Sequence, residues 1–125
     1  MEKKAYDFGF LITGGPYSHI VEANGFLFVS GQSPIDIENK VLIFDDVTKA
    51  TELTLNNIKR MLEAAGSNMS KVVKATVYLK DMADFNAMNE VYRTFFVDNP
   101  PARTCIAAKE VPGNFQVEIE VIAIK

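Results

Sequence analysis

This sequence has little of what several classes of protein need. Its 125 residues contain one cysteine and one histidine, so no internal disulfide can form and a dedicated zinc site lacks its ligands. A reducing compartment follows, and we expect a cytoplasmic location. No apolar run approaches the roughly 20 residues that cross a bilayer. Residues 1–7 also lack the hydrophobic segment of a signal peptide, so neither a membrane anchor nor export is expected.

Positive charge is scarce as well. Thirteen Lys and Arg residues stand against 16 Asp and Glu, which gives a net charge of −3. Nucleic-acid-binding proteins normally carry a basic face, so this balance predicts no nucleic-acid partner. Hydrophobic residues make up 48% of the chain, as in soluble globular proteins. We expect a single domain over residues 1–125.

The N-terminal half predicts a hairpin followed by a helix. Two extended runs, Tyr17–Val21 and Phe26–Ser30, are joined through Ala23-Asn24-Gly25. Asn-Gly favours a tight hairpin turn, because type I′ turns need positive φ at both central residues. Apolar residues then recur at helical spacing from about Asp46 to Ala65, and Gly66 supplies a stop.

The C-terminal half alternates strands with a second helix. Alternating apolar residues predict a strand over Val72–Leu79, and an apolar stripe predicts a helix from about Ala83 to Phe96. Two further strands, Arg103–Ala108 and Phe115–Ile124, are joined by a predicted tight turn at Val111–Asn114.

This order of elements predicts an α+β fold: one mixed sheet with both helices packed on a single face. The opposite face of the sheet then needs a cover of its own. Neither remaining loop is long enough to supply it, so self-association is the natural solution.

One arginine and two glutamates predict chemistry. Arg103 emerges from the stiff turn that Pro100 and Pro101 impose, and a guanidinium held there can grip a carboxylate with two parallel hydrogen bonds. Glu118 and Glu120 share one side of the otherwise apolar last strand. We expect the arginine and a glutamate on neighbouring strands, suited to a small anionic substrate attacked by water.

A set of motifs in fixed order and spacing resembles the Rid (YjgF) family of reactive-intermediate imine/enamine deaminases. The resemblance runs from Gly15 to the end of the chain. Its main motifs are Gly15-Pro16-Tyr17-Ser18, NGFLFVSGQ at residues 24–32, LEAAG at residues 62–66, VYLKDM at residues 77–82, Pro100-Pro101-Ala102-Arg103 and VEIE at residues 117–120.

The resemblance implies a fold, an assembly and an activity. The fold is chorismate-mutase-like α+β, and the assembly is a homotrimer whose three clefts lie between subunits. The implied reaction is hydrolysis of 2-aminoacrylate, 2-iminobutanoate and related imino acids to 2-oxo acids and ammonia. No cofactor is implied; the expected partners are the small imino or 2-oxo acid and two further copies of the chain.

The resemblance also assigns roles to residues. Arg103 matches the family's arginine for the substrate carboxylate, Glu118 the glutamate that contacts the attacking water, and Tyr17 the tyrosine that an adjacent subunit brings into the cleft. His19 and Ser33 depart from the family pattern near the cleft mouth, which bears on the substrate range. Four further residues match positions that line the pocket, the last through its backbone N–H: Ser30, Gly31, Asn89 and Cys105.

Plainer interpretations of these residues stay open. Tyr17 could serve interface packing, and Glu118 could be the solvated side of an edge strand. Cys105 reads as a small buried hydrophobe, since nothing beside it supplies a base for a nucleophile. His19 is expected at the surface or an interface. For Glu120 we expect a structural role at a subunit contact.

Other functions compete with the deaminase. The first is a non-catalytic trimeric module that senses 2-oxo acids or other small carboxylates and regulates a partner. Nuclease or translation-inhibiting activity is a second, and the acidic balance opposes it. A holdase-type chaperone is a third.

Overall fold

The computed structural model describes residues 2–10 and 13–125 of the chain. Six strands form one sheet in the order β1-β2-β3-β8-β6-β7, two more form a small separate hairpin, and two helices accompany them. The elements are β1 (Lys4–Tyr6), β2 (Ile20–Ala23), β3 (Phe26–Gln32), β4 (Ile35–Asp36), β5 (Val41–Leu42), α1 (Val47–Ala64), β6 (Val72–Leu79), α2 (Phe85–Phe95), β7 (Ala102–Ala107) and β8 (Val117–Ile124).

The predicted hairpin between β2 and β3 is confirmed. Asn24 and Gly25 have φ values of 53° and 81°, as the turn requires. The pairing runs from Ala23 opposite Phe26 to Ile20 opposite Val29. The first strand of this hairpin, β2, begins later than expected, at Ile20 rather than at Tyr17. Tyr17 therefore lies in the loop before β2.

Both predicted helices are present, with small changes at their ends. The Asp46 side chain accepts a hydrogen bond from the Lys49 N–H at 3.0 Å and caps α1. Gly66, with a φ of +86°, follows the end of α1. α2 begins at Phe85 rather than Ala83, because residues 82–84 form a separate 3₁₀ turn.

The last two strands are not neighbours, which corrects the expectation from the sequence. β6 lies between β7 and β8: it pairs with β7 in parallel and with β8 antiparallel. The reason is the crossover. β6 and β7 are joined through α2, and a connection that carries a helix brings the next strand back parallel to the first.

The two faces of the sheet differ, and we call them the closed and the open face. Both helices lie on the closed face, as predicted. Its fully buried strand residues include Leu27, Ala75, Val77, Leu79, Val117 and Ile119. The open face carries alternate residues of the same strands. They include Phe26, Phe28, Tyr78, Glu118, Glu120 and Ile122.

The open face is partly apolar and uncovered in the single chain. Phe28 is 44% exposed there and Phe26 is 39% exposed. Such a face suits contact with further copies of the chain. The homotrimer itself stays a prediction.

A bulge sets the direction of the first side chains of β6. The β6–β8 register shifts between Val72 and Lys74. Val72 is therefore buried and Val73 is exposed. Two short elements, β1 and the β4–β5 hairpin, were not predicted from the sequence.

Across residues 2–10 and 13–125, neither helix combines the length and the apolar character that crossing a bilayer requires.

Candidate functional site

Most of the predicted catalytic side chains gather on the open face, in what we call the acid pocket. It is an open depression of about 400 Å³ at the end of β3 and the start of β8. Seven residues line it: Tyr17, Ser30, Gly31, Ser33, Pro112, Glu118 and Glu120.

A bulge in β3 shapes the floor of this pocket. Val29 pairs with Val121 and Gln32 with Ile119, so Ser30 and Gly31 together oppose a single residue of β8. Bulges of this kind often redirect side chains beside functional sites. Ser30 is held in place because its hydroxyl donates to the Ser18 carbonyl at 2.7 Å.

Glu118 occupies the centre of the acid pocket. A Cβ added at Gly31 would overlap the Oε2 atom of Glu118 and lie 2.9 Å from its Cδ, so glycine leaves the space that this carboxylate fills. Burial raises the pKa of Glu118 above its ordinary value, and the nearby charge of Glu120 raises it further. The result is a carboxylate that is more basic than usual.

Glu120 lies beside Glu118 and is bound to a tyrosine. The Tyr78 hydroxyl donates to Glu120 Oε1 at 2.5 Å. This hydrogen bond, burial and the charge of Glu120 together raise the pKa of Tyr78 to about 12. The phenol therefore stays protonated and remains a donor at neutral pH.

Tyr17 stands at the mouth of the pocket. Its side chain is 49% exposed, and its hydroxyl accepts a hydrogen bond from the Gly14 N–H at 3.1 Å. A half-exposed aromatic residue beside a pair of carboxylates can reach a ligand in this pocket or a second chain packed over it.

Arg103 occupies a different place, which we call the arginine site. Its Nη1 donates to Asn89 Oδ1 at 2.7 Å. Its guanidinium carbon lies 4.8 Å from the ring centre of Tyr92 and 5.6 Å from that of Phe85. α2 supplies all three partners, and aromatic faces stabilise a guanidinium without using its N–H groups.

The guanidinium of Arg103 forms no salt bridge with any residue that the structure describes. Among residues 2–10 and 13–125, no carboxylate oxygen lies within 4.0 Å of it. A half-buried arginine fixed by an amide and two rings, with donors still unused, is arranged to bind a carboxylate.

Cys105 lies two residues after Arg103 on β7, on the same side of the strand. Burial raises the pKa of its thiol, and the positive charge of Arg103 opposes that rise only in part. The thiol is therefore protonated at neutral pH and is a poor nucleophile. This agrees with the interpretation of Cys105 as a small hydrophobe.

Arg103 and Glu118 do not meet within one chain, which corrects the expectation of neighbouring strands. Arg103 pairs with Ala75 on the closed face, whereas Glu118 pairs with Tyr78 on the open face. The intervening strand β6 and the opposite side-chain directions separate them. One ligand molecule can therefore contact both groups only if they come from different chains.

His19 is not a surface residue, contrary to expectation. It is 1% exposed, and its Nδ1 accepts a hydrogen bond from the Phe8 N–H at 3.1 Å. It stacks on the Phe8 ring, with 5.8 Å between the ring centres. Its role is to fix the loop that precedes β2.

Sequence reasoning missed two contributors to these sites. Tyr92 is a buried residue of α2, and its ring also lies under the guanidinium of Arg103. Tyr78, on β6, donates the hydrogen bond to Glu120. Apolar and polar residues alternate along both β6 and β8. This alternation could have indicated that Tyr78 lies on the same face as Glu118 and Glu120.

Comparison with known proteins identifies relatives along almost the whole chain. Residues 11–125 match the model of the family described as Endoribonuclease L-PSP. A RutC family protein of Pyrococcus horikoshii is 46% identical over 111 residues, which cover 89% of this chain and 88% of that protein. The mitochondrial protein mmf1 of Schizosaccharomyces pombe is 41% identical over 118 residues, which cover 92% and 72%. Because that relative is mitochondrial, a cytoplasmic location stays a prediction.

Among solved structures, E. coli TdcF with bound serine is 34% identical. It superposes with a TM-score of 0.85 over 90% of this chain and 91% of that one. Agreement at this level extends to the sheet and both helices.

Proposed function

This chain belongs to the endoribonuclease L-PSP family, which includes the Rid, YjgF and RutC proteins, and from that premise we propose that it is a hydrolytic deaminase. Its substrates are 2-aminoacrylate and 2-iminobutanoate, which it converts to 2-oxo acids and ammonia. The resemblance of the site motifs to those of Rid deaminases supports this choice of substrate class.

The observation that carries the proposal is the arginine site. Arg103 is oriented by Asn89 and has no carboxylate partner among the described residues. A 2-imino acid brings the carboxylate that such a guanidinium binds with two hydrogen bonds. TdcF, with its bound serine, provides a precedent in this fold for a small ligand that carries a carboxylate.

The second part of the proposal is the assembly. The arginine site and the acid pocket lie on opposite faces of one sheet. A homotrimer with clefts between subunits brings the arginine site of one protomer to the acid pocket of the next. Each cleft then holds one cation and one basic carboxylate.

The mechanism uses water and these side chains. Arg103 orients the substrate carboxylate, and Glu118 accepts a proton from a water molecule as its oxygen bonds to the imine carbon. Glu118 returns that proton to the imine nitrogen, which gives a carbinolamine with OH and NH2 on one carbon; 2-aminoacrylate reaches this path after tautomerising to its imine. Glu118 then passes the hydroxyl proton to the same nitrogen, the C–N bond breaks as the C=O bond forms, and ammonia and the 2-oxo acid are released. The raised pKa of Glu118 suits both transfers, which typically contribute ~10²–10⁴-fold to a rate.

A non-catalytic sensor of small carboxylates is the alternative, and it would use the same Arg103. Substitution of Glu118 distinguishes the deaminase from the sensor. Glu118→Gln keeps the shape of the acid pocket, so a sensor retains its affinity for pyruvate in a calorimetric titration and has no turnover to lose. A deaminase loses about 10²-fold or more of its turnover.

The test of activity is a coupled assay. A serine dehydratase generates 2-aminoacrylate, and the rate of pyruvate formation is followed with and without the protein. Arg103→Ala removes two charge-assisted hydrogen bonds of about 1.5–3 kcal/mol each, so we expect a loss of about 10²–10⁴-fold. Arg93→Ala, on the exposed face of α2 and paired with Glu90, is the matched control and stays active.

A mixing experiment tests the shared cleft. Arg103→Ala and Glu118→Gln chains, each inactive alone, are co-expressed. If every cleft takes its arginine and its glutamate from different chains, about a quarter of the clefts regain both residues and activity returns. No recovery in confirmed mixed trimers would rule out the shared cleft. Cleavage of a single-stranded RNA that depends on Glu118, without imine turnover, would instead favour a nuclease.

A further inference from the structure

Two carboxylates share the acid pocket, and among residues 2–10 and 13–125 a side chain donates a hydrogen bond to one of them, Glu120. Glu118 and Glu120 are two residues apart on β8 and point to the same face. In the β6–β8 register, Tyr78 lies opposite Glu118 and Thr76 lies opposite Glu120. The Tyr78 hydroxyl nevertheless reaches diagonally and donates to Glu120 at 2.5 Å.

This asymmetry bears on the pKa of Glu118. Two nearby carboxylates resist ionising together, so the pair takes up a first proton more readily than an isolated carboxylate does. A hydrogen bond donated to a carboxylate favours its ionised form. Among the described residues no side chain donates such a hydrogen bond to Glu118, so none lowers the pKa of Glu118 in this way.

We propose that Tyr78 is a positioning residue that holds the Glu120 carboxylate beside Glu118, so that the charge of Glu120 makes Glu118 the carboxyl that takes up and releases the proton in the acid pocket. The catalytic meaning of this assignment rests on the proposed deaminase function. The raised pKa of Glu118 does not, because it comes from burial and from the charge of Glu120 and needs no substrate.

The other groups around the pair leave this assignment in place. From β3 and its bulge come Ser30 and Gly31, which carry no charge. From the preceding loop comes Tyr17, whose hydroxyl is engaged with the Gly14 N–H. Lys74, further along the open face of β6, donates to Thr104 instead.

The proton affinities agree with the geometry. Burial and the charge of Glu120 raise the pKa of Glu118, with no hydrogen bond to oppose them. The pKa of Tyr78 rises to about 12, so the donor persists across the working range. Glu118 is then a base above its raised pKa and an acid below it, as a two-way proton transfer requires.

The first experiment follows the carboxyl carbons directly. Protein labelled with ¹³C-glutamate is titrated by NMR, and the two signals are assigned with Glu118→Gln and Glu120→Gln. We expect the Glu118 midpoint of the wild type to lie above the ordinary range of a glutamate. In Tyr78→Phe the Glu118 midpoint moves to lower pH, because Glu120 is no longer held beside Glu118 and its charge raises the pKa of Glu118 less.

The chain offers a matched control for this change. The Tyr6 hydroxyl donates to Glu22 Oε1 at the same 2.5 Å, in the β1–β2 pair away from the pocket. Tyr6→Phe removes an equal phenol–carboxylate bond and leaves the Glu118 midpoint where it was. An unchanged midpoint in Tyr78→Phe, or an equal shift in both variants, overturns the inference.

The second experiment separates the inference from the proposed function. In the coupled assay the acid limb of the pH–rate profile moves to lower pH in Tyr78→Phe and not in Tyr6→Phe. If no variant and no wild-type protein turns over the imine, the deaminase proposal fails, while the NMR titration still decides whether Tyr78 affects the pKa of Glu118. A shifted midpoint with an unshifted acid limb would show that Glu118 is not the base, and would overturn its assigned role.

Discussion

The closed and open faces of the sheet are made by the same strands yet are completed in different ways. On β8, Ile119 and Val121 point into the closed face and are almost fully buried beneath the helices. Glu118, Glu120 and Ile122 alternate with them on the open face and remain partly exposed. One face is covered by the helices of the same chain, and we expect further copies of the chain to cover the other.

The charged side chains of the two candidate sites also lie on different faces of the sheet. The cation is held against α2, where rings and an amide of the same chain fix it. The carboxylates lie on the side that has no cover in the single chain. Arg103 and the two glutamates therefore lie on opposite faces of the sheet in one protomer, and under the proposed function activity depends on assembly.

The largest effect is expected from a charged residue introduced on the open face, which tests whether further copies of the chain pack there. Phe28→Lys places an ammonium group where another chain should pack, and burying an unpaired charge costs several kcal/mol. We expect the assembly to dissociate and nearly all deaminase activity to disappear, while far-UV circular dichroism stays unchanged. Val97→Lys, at a highly exposed position after α2, is the control and stays assembled. A trimeric Phe28→Lys protein would mean that copies associate elsewhere.

A matched pair of isoleucines tests the two faces on one strand. Ile119→Ala empties a fully buried site on the closed face and should lower the free energy of unfolding by about 2–5 kcal/mol, as other large-to-small core changes do. Ile122→Ala, on the open face, should weaken association and have a smaller effect on the fold. Urea unfolding and sedimentation measure the two effects. If both variants lost the same free energy of unfolding and stayed assembled, the closed and open faces would not differ in the way described.

A methyl group at Gly31 tests the fit inside the acid pocket. Gly31→Ala pushes the Glu118 carboxylate aside, and misplacing a catalytic group by about 1 Å can cost on the order of 100-fold in rate. The fold should survive, because the displaced atoms are the flexible end of a side chain. Gly9→Ala, where a Cβ meets nothing within 4 Å, serves as the control. Unchanged kcat in Gly31→Ala would remove Glu118 from the reaction.

The smallest expected effect concerns stability and pH. Because the folded protein raises the pKa of Glu118, this group stabilises the fold at low pH, and that contribution is lost as pH rises through the raised pKa. Glu118→Gln should therefore give a small increase in Tm at neutral pH, and little increase at a pH below the ordinary range for glutamate. A lower Tm at neutral pH would show that ionised Glu118 stabilises the fold.

Local features of the fold could be predicted from the sequence. The dipeptide Asn24-Gly25 predicted its turn because few residue types other than Asn and Gly adopt a positive φ. The span of β6 followed from the alternation of its apolar and polar residues. The end of α1 near Gly66 followed for the same kind of reason. Each of these depends on interactions between residues close in the chain.

The misplaced features depend on contacts between distant residues. Nothing in the alternation of β7 or β8 specifies that β6 lies between them, and that strand order separates Arg103 from Glu118. The turn of Val73 to the outside follows from a bulge that only the β8 pairing reveals. The family motifs supplied the site residues, while the grouping of those residues required the structure.

The position of β8 has a consequence for how the molecule forms. In the sheet formed by the described residues β8 lies between β3 and β6, and it pairs Ile124 with Phe26, which is far away in the sequence. Such long-range pairing slows folding. During synthesis, β3 and β6 each present an unpaired edge until the last strand leaves the ribosome. Nascent chains are then exposed to wrong pairing, and loss of the final eight-residue strand would divide the sheet into two.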